Sequence, residues 1–255
     1  MLIKRAGIAV GKRLIDLQLQ YSVTKHIAVV EYPKSGGTWL CSLLSDLYGL
    51  RFAHQTVIPP VLPSVVHTHK SPPFKNGTNV VYLCRDGRDV MVSYYFHRIN
   101  GFGGPYNSQL MKWKKKVFGA DADLNDVQRY LPRFISEELT NPSFGLLSWP
   151  QHVDRWKNHA STCFIRYEDL LSNPVRELEC ANESLPCDPK MTFSSAVENN
   201  TLAKMRQRAP SASKSFFRSG TAGGWVNYFT PEAIEIFNFY CEETMKSLQY
   251  PLSKN

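Results

Sequence analysis

At 255 residues, 43% hydrophobic and 20% charged, the chain has the size and composition of one globular domain with a sizeable core, which excludes disorder and collagen-like repeats. No apolar run reaches the roughly 20 residues that cross a bilayer, and Lys12 and Arg13 interrupt the N-terminal apolar stretch too early for a secretory signal. Lys and Arg number 30 against 22 Asp and Glu, a formal charge of +8, and this excess calls for an anionic partner: nucleotide, nucleic acid, acidic polysaccharide or membrane surface.

Residues 1–25 read as an N-terminal extension. HIAVVEY at 26–32 reads as a buried strand, followed by PKSGG and then Trp39, Leu40, Leu43, Leu44, Leu47 and Tyr48 at helical spacing, with Gly49 as the stop. NVVYLC at 79–84 is a second strand, and a helix starts at about Gly87 with Asp86 as its cap. Residues 100–148 are less regular and carry GFGGPYN, the basic run MKWKKK and ADADLND, so they are expected to be an acceptor-binding or lid region. A helix at 149–160 places Trp149, Val153, Trp156 and Ala160 on one stripe. A third strand lies near 163–167 and a helix opens at Pro174. The last helix spans 231–248, with Thr230 as cap and Pro231 at its first position. Strands alternating with helices predict an α/β fold: a single domain over 1–255, with a central parallel sheet flanked by helices. The six cysteines form no C-x-x-C and have irregular spacings, so free thiols and a reducing cytoplasm are expected.

Three clusters can carry chemistry. Tyr32-Pro33-Lys34-Ser35-Gly36-Gly37-Thr38-Trp39 sits at a strand-to-helix junction. There, glycines let the backbone approach a ligand and helix-opening N–H groups face an anion. It is P-loop-like without being G-x-x-x-x-G-K-[ST], because its lysine precedes the glycines; an ordinary Gly-containing turn with a surface Lys is the other reading. Arg85 ends a strand and Ser93 lies two turns into the next helix, so one phosphate could meet both. Read alone, Arg85-Asp86-Gly87-Arg88-Asp89 is better taken as a surface ion-pair ladder. Phe217 to Trp225, FRSGTAGGW, suits a loop that closes over an anion and equally an ordinary flexible loop.

In this order the three resemble the PAPS-dependent sulfotransferases, which move a sulfuryl group from 3'-phosphoadenosine-5'-phosphosulfate to an acceptor. YPKSGGTWL is similar to the family's 5'-phosphosulfate loop YPKSGTTW, VVYLCRDGRDVMVSYY to its 3'-phosphate segment, and FFRSGTAGGWVNYFT to its RKGxxGDWKNxFT loop. SWPQHVDRW and IRYEDLLSNP match two further stretches, so the resemblance runs from about residue 27 to 230. It implies a phosphosulfate-binding strand-loop-helix in which Lys34 contacts the transferring sulfuryl, Ser35, Gly36, Gly37 and Thr38 cradle the 5'-phosphate, and Trp39 stacks on adenine. Arg85, Ser93, Arg218, Ser219 and Gly220 are implied at the 3'-phosphate, Tyr167 at the adenine edge, and Thr201 at the nucleotide, with Leu202 where many members carry an aromatic. Residues 214–230 become the cofactor-closing loop.

Departures from the family pattern are Gly37 for a threonine, Ser219 for the lysine of RKG, Gly224 for the aspartate of GDW, and Val226 for a lysine, so looser closure of that loop is expected. The family's KTHxP histidine falls on His69 of VHTHKSP, with His67 at the lysine position. His69 is the implied general base, a role imidazole suits near neutral pH, and His152 is expected to line the acceptor pocket. His67 and His69 form an H-x-H pair with no Cys, Asp or third His close in sequence, so no metal is expected. The resemblance implies PAPS as co-substrate, PAP as product, and a small-molecule, saccharide or lipid acceptor, with no nucleic acid. A degenerate P-loop kinase is the rival enzyme reading, but it lacks a GK[ST] lysine and a clear Walker-B aspartate. A polyanion-binding module using Lys112, Lys114, Lys115 and Lys116 around Trp113 is the rival non-enzyme reading, although such a run is usually a solvated face.

Overall fold

The computed structural model describes Leu14 and residues 26–53, 62–71, 79–99, 107–143, 146–159, 162–185, 187–208 and 220–252. In chain order its first half runs β1 (Ile27–Glu31), α1 (Gly37–Tyr48), β2 (Arg51–Phe52), β3 (Ser64–Thr68), β4 (Asn79–Cys84), α2 (Gly87–Ile99), α3 (Asn107–Phe118) and α4 (Val127–Thr140). There follow α5 (Trp149–Lys157), β5 (Thr162–Arg166), α6 (Tyr167–Ser172), α7 (Pro174–Ser184), α8 (Phe193–Asn199), α9 (Leu202–Arg208), a 3-10 turn (Gly224–Asn227) and α10 (Pro231–Ser247). The chain divides into two compact units, one of residues 1–85 and 156–221 and the other of residues 86–155 and 222–255.

The first unit holds a five-stranded, wholly parallel sheet in the order β2-β3-β1-β4-β5. A central parallel strand is covered on both faces, which is why β1 reads as an unbroken apolar run, IAVV, with every one of these side chains fully buried. Leu40, Leu43, Leu44 and Leu47 of α1 pack with Val29, Val65, Val81 and Ile165 of the strands, and with Leu170 of α6 and Leu178 of α7. Burial of each such leucine stabilises the fold by about 1.5–3 kcal/mol. Gly49, at φ 62°, ends α1 in the left-handed conformation that glycine adopts without steric cost.

In the second unit an aromatic cluster joins α2, α3 and α4: Phe134 meets Tyr94, Tyr95 and Trp113 edge-on. Arg98 lies over the Trp113 ring at 4.0 Å and beside fully buried Glu138. The 100–148 stretch, expected to be irregular, therefore contributes two helices within its described residues, α3 and α4. Asp126 caps α4 by accepting from the Arg129 N–H, and Leu131, Phe134, Ile135 and Leu139 form its buried stripe. α10 begins as expected, with the Thr230 hydroxyl accepting from the Ala233 N–H and Pro231 in its first turn. All six cysteines are free thiols. Among the described residues no helix is long and apolar enough to cross a membrane.

Candidate active site

Parallel pairing brings four chain segments out along one sheet edge in the order β3, β1, β4, β5. Val30 pairs with Thr68, Glu31 with Leu83, and Cys84 with Arg166. The residues that follow these strand ends, His69, Tyr32 to Gly36, Arg85 and Tyr167, all lie at the carboxyl edge where open α/β sheets bind ligands.

The loop after β1 folds on itself, the Tyr32 carbonyl accepting from both the N–H and the hydroxyl of Ser35. Gly36 has φ 109°, and a Cβ there would come within 2.8 Å of the Tyr167 ring. Lys34 is held at φ 79°, a conformation costly for a non-glycine residue and found where the surroundings enforce it. One enforcing contact comes from Arg85, whose guanidinium lies 4.5 Å from the Tyr167 ring centroid and donates to the carbonyls of Lys34, at 3.3 Å, and Thr221, at 2.9 Å. Arg85 thus ties the β1 loop to the chain at Thr221. Trp39 stands edge-on to Tyr167 and donates its indole N–H to the Asn200 carbonyl, next to Thr201. Gly220, at φ 68°, sits so close to Leu202 that a Cβ would lie 2.8 Å from it. Lys34, Ser35, Gly36, Trp39, Arg85, Tyr167, Leu202 and Gly220 are therefore linked by contacts within one unit. Ser93 lies half-buried in the second turn of α2, in the other unit. Arg218 and Ser219, like the 214–219 part of the closing loop, fall outside the described residues.

Beside this loop lies a group that the sequence reading missed. Glu31 is 3% exposed; its carboxylate accepts from the Gly37 N–H and from His67 Nε2 at 3.0 Å. Its main-chain carbonyl accepts from His69 Nδ1 at 2.9 Å, and the two imidazoles meet edge-on with centroids 4.8 Å apart. Burial pushes the Glu31 carboxyl upward, but the His67 hydrogen bond, the charges on His67 and His69 and the Gly37 N–H outweigh it, and Glu31 is held below the ordinary carboxylate range. The expectation that the H-x-H pair lacks a third donor is corrected here, since Glu31, His67 and His69 present ligand atoms within 4.8 Å of one another. As placed, they are hydrogen-bonding groups to one another and to the backbone.

The sulfotransferase domain family model matches residues 60–249. The chain belongs to the sulfotransferase family. It is 24% identical to rat sulfotransferase 1A1, over 88% of this chain and 86% of that protein, and 26% identical to dog sulfotransferase 1B1, over 90% and 86%. Among solved structures, mouse sulfotransferase SULT7A1 complexed with PAP superposes with a TM-score of 0.68 at 19% identity, covering 96% of this chain and 90% of that one. Retinol dehydratase in complex with retinol and PAP superposes with a TM-score of 0.59 at 16% identity, covering 98% of this chain and 88% of that one. These two likenesses bear on the fold.

The Arg-Asp-Gly-Arg-Asp segment of this sulfotransferase is not a surface ladder. Asp86 caps α2 through the Arg88 N–H and pairs with the Arg88 side chain, which is 3% exposed. Arg88 in turn lies 4.0 Å from the Trp225 ring centroid. Asp89, also buried, accepts from the N–H groups of Gly223 at 2.7 Å and Trp225 at 2.9 Å. Residues 223–225 are thus anchored by a carboxylate from α2, although the family's aspartate is missing at Gly224. A side chain at 224 would start 3.9 Å from Asp89 Oδ1, so an aspartate there would face a second carboxylate. His152, expected to line a pocket, is 1% exposed within α5. In the basic run, half-buried Trp113 packs edge-on against Phe118 and Phe134 and Lys114 donates to the Ile99 carbonyl, leaving Lys112, Lys115 and Lys116 exposed.

Proposed function

We propose that this sulfotransferase moves the sulfuryl group of PAPS to a hydroxyl or amine acceptor by in-line displacement, with His69 as general base, and releases PAP. The observation that carries the proposal is the alignment of the Lys34 loop, His69, Arg85 and Tyr167 along the carboxyl edge of adjacent parallel strands. The PAP complexes of similarly folded enzymes support the choice of co-substrate. With Nδ1 committed as donor to the Glu31 carbonyl, neutral His69 carries its lone pair on Nε2. The acceptor oxygen or nitrogen forms a bond to sulfur as its proton passes to that nitrogen. The bond from sulfur to the bridging phosphate oxygen breaks, and PAP leaves with the electron pair. Lys34 and loop N–H groups stabilise the charge that develops, a task for positive groups fixed in place beforehand, and no metal takes part.

Ser35 to Thr38 hold the 5'-phosphate in this reading, and Trp39, Tyr167 and Thr201 the adenosine. Arg85, Ser93, Arg218, Ser219 and Gly220 hold the 3'-phosphate. Residues 1–255 act as one sulfotransferase domain, 100–148 carries acceptor recognition, and the protein works in the cytoplasm. The deciding experiment is transfer from labelled PAPS to a panel of phenols, alcohols, amines, sugars and lipids in the presence of EDTA, with mass spectrometry of the products. Formation of PAP together with a sulfated product is expected. Turnover that requires Mg²⁺ and yields phosphorylated product would point to a kinase instead.

A further inference from the structure

We infer that Glu31 is the positioning residue for the histidine pair of the transfer site, and that glycine at 37 is the structural condition for it. The inference rests on the reading of His69 as proton acceptor and adds what sets that histidine up.

One residue bonds both rings. The Glu31 carboxylate fixes His67 through Nε2, and its carbonyl fixes His69 through Nδ1, leaving the opposite nitrogen of each neutral ring as the acceptor. Because β1 and β3 are parallel neighbours, with Val29 beside His67 and Val30 beside Thr68, the end of β1 delivers Glu31 to both histidines. The groups that act on the carboxylate are His67 and His69 from β3 and its end and the Gly37 N–H from α1, and Cys41 of α1 feels its charge. Among the described residues the two histidines are the basic groups that bear on this carboxylate, so an imidazolium formed as the acceptor attacks has the Glu31 charge as its counter-ion. A carboxylate that orients an imidazole and stabilises its protonated form performs the same work in hydrolytic triads.

The glycine completes the argument. A Cβ at position 37 would lie 2.7 Å from the Glu31 carboxyl carbon and 2.7 Å from His67 Nε2. Both are side-chain atoms, so a larger residue would push the carboxylate and the ring apart before it moved the backbone. Residues 31, 67 and 37 therefore form one unit: a buried carboxylate, the imidazole it holds, and the missing side chain that leaves room for them.

The test uses the 255-residue chain with PAP bound. Histidine ¹⁵N spectra, with signals assigned through His67→Ala and His69→Ala, are expected to place His69 in the Nδ1–H form and to have His67 bonded at Nε2. Glu31→Gln should shift the His67 signals and lower kcat for transfer from labelled PAPS by about tenfold or more, with KM for PAPS and the PAP Kd changed by less than about threefold. Gly37→Ala should reproduce the kcat loss, and the double variant should be little worse than the poorer single one, since both disturb the same contact. If Glu31→Gln does not fold, Gly37→Ala carries the spectroscopic and kcat test alone, because Gly37 also belongs to the proposed 5'-phosphate cradle. The inference is overturned if both variants keep wild-type histidine spectra, or if they lose PAP affinity while kcat is unchanged. If His69→Ala is itself fully active, the reading of His69 as base fails, whatever Glu31 does to the spectra.

Discussion

Asp89 gives the sharpest stability prediction in the second unit. Its two carboxylate oxygens accept from the N–H groups of Gly223 and Trp225 at 2.7 and 2.9 Å, and the residue is 4% exposed. Asp89→Asn keeps the shape but replaces one acceptor oxygen with an NH₂ that faces an N–H. A hydrogen bond to a charged group contributes about 1.5–3 kcal/mol, and an orphaned buried donor adds to the loss, so the substitution should cost roughly 2–4 kcal/mol. For a chain of this length that corresponds to a fall in Tm on the order of 5–15 °C. Gly224→Asp supplies the second leg of a double-mutant cycle: it should destabilise the wild type by setting a carboxylate against Asp89, and do so less in the Asp89→Asn background. The assay is urea unfolding of the four proteins, read as midpoints at constant slope. A loss below about 0.5 kcal/mol for Asp89→Asn, or strict additivity in the cycle, would refute the assignment of Asp89 as the loop's anchor.

Arg85→Ala should weaken PAP binding by at least about tenfold, the worth of one charge-assisted hydrogen bond, and adenosine 5'-phosphate binding much less; equal losses in calorimetric titrations would move the 3'-phosphate site elsewhere. His69→Ala should lower kcat by roughly 10²- to 10⁴-fold with PAP affinity retained, and His67→Ala by less, a reversed order placing the base two residues away. Burial holds the Glu138 carboxyl above its ordinary value of 4.5, against the Ser143 hydrogen bonds and the Arg98 charge that lower it. Its folded pKa therefore exceeds the unfolded one, and its contribution to stability is full below the unfolded pKa and is lost as pH rises through the folded value. Relative to wild type, Glu138→Gln should gain stability as pH rises above the ordinary value of 4.5, and a difference in urea midpoints that does not change with pH would contradict this.

The sequence discloses local features well and pairings poorly. β1, the glycine turn and α1 are legible because a covered parallel strand must be continuously apolar and the helix keeps a leucine stripe up to Gly49. α4 was missed although Asp126 and the stripe of Leu131, Phe134, Ile135 and Leu139 announce it; Pro132 inside the helix and the acidic lead-in mask the period. The Lys34 loop, Arg85 and Tyr167 are legible as candidates because each lies in a contiguous motif. Glu31 is not, because its meaning depends on β3 lying beside β1, which brings together residues 36 apart in sequence. Asp89 escaped for the same reason: its partners lie at Gly223 and Trp225, 134 and 136 residues away.

Glu31 and Asp89 solve related problems. Each is a buried carboxylate that accepts backbone N–H groups, and each stands beside a glycine where the family pattern carries a side chain, Gly37 for threonine and Gly224 for aspartate. A buried carboxylate is costly unless a hydrogen-bond donor or an opposite charge offsets it nearby. Glu31 is offset by the imidazole of His67 at 3.0 Å. Asp89 has two N–H dipoles on its oxygens, while neighbouring Arg88 is already paired with Asp86. Arg85, in the first unit, is bonded to the main-chain carbonyls of Lys34 and Thr221, which in the proposed function a phosphate would replace as acceptors. Since a phosphate oxygen accepts the same N–H groups as those carbonyls, the proposed role of Arg85 as a phosphate ligand agrees with its present bonds to Lys34 and Thr221.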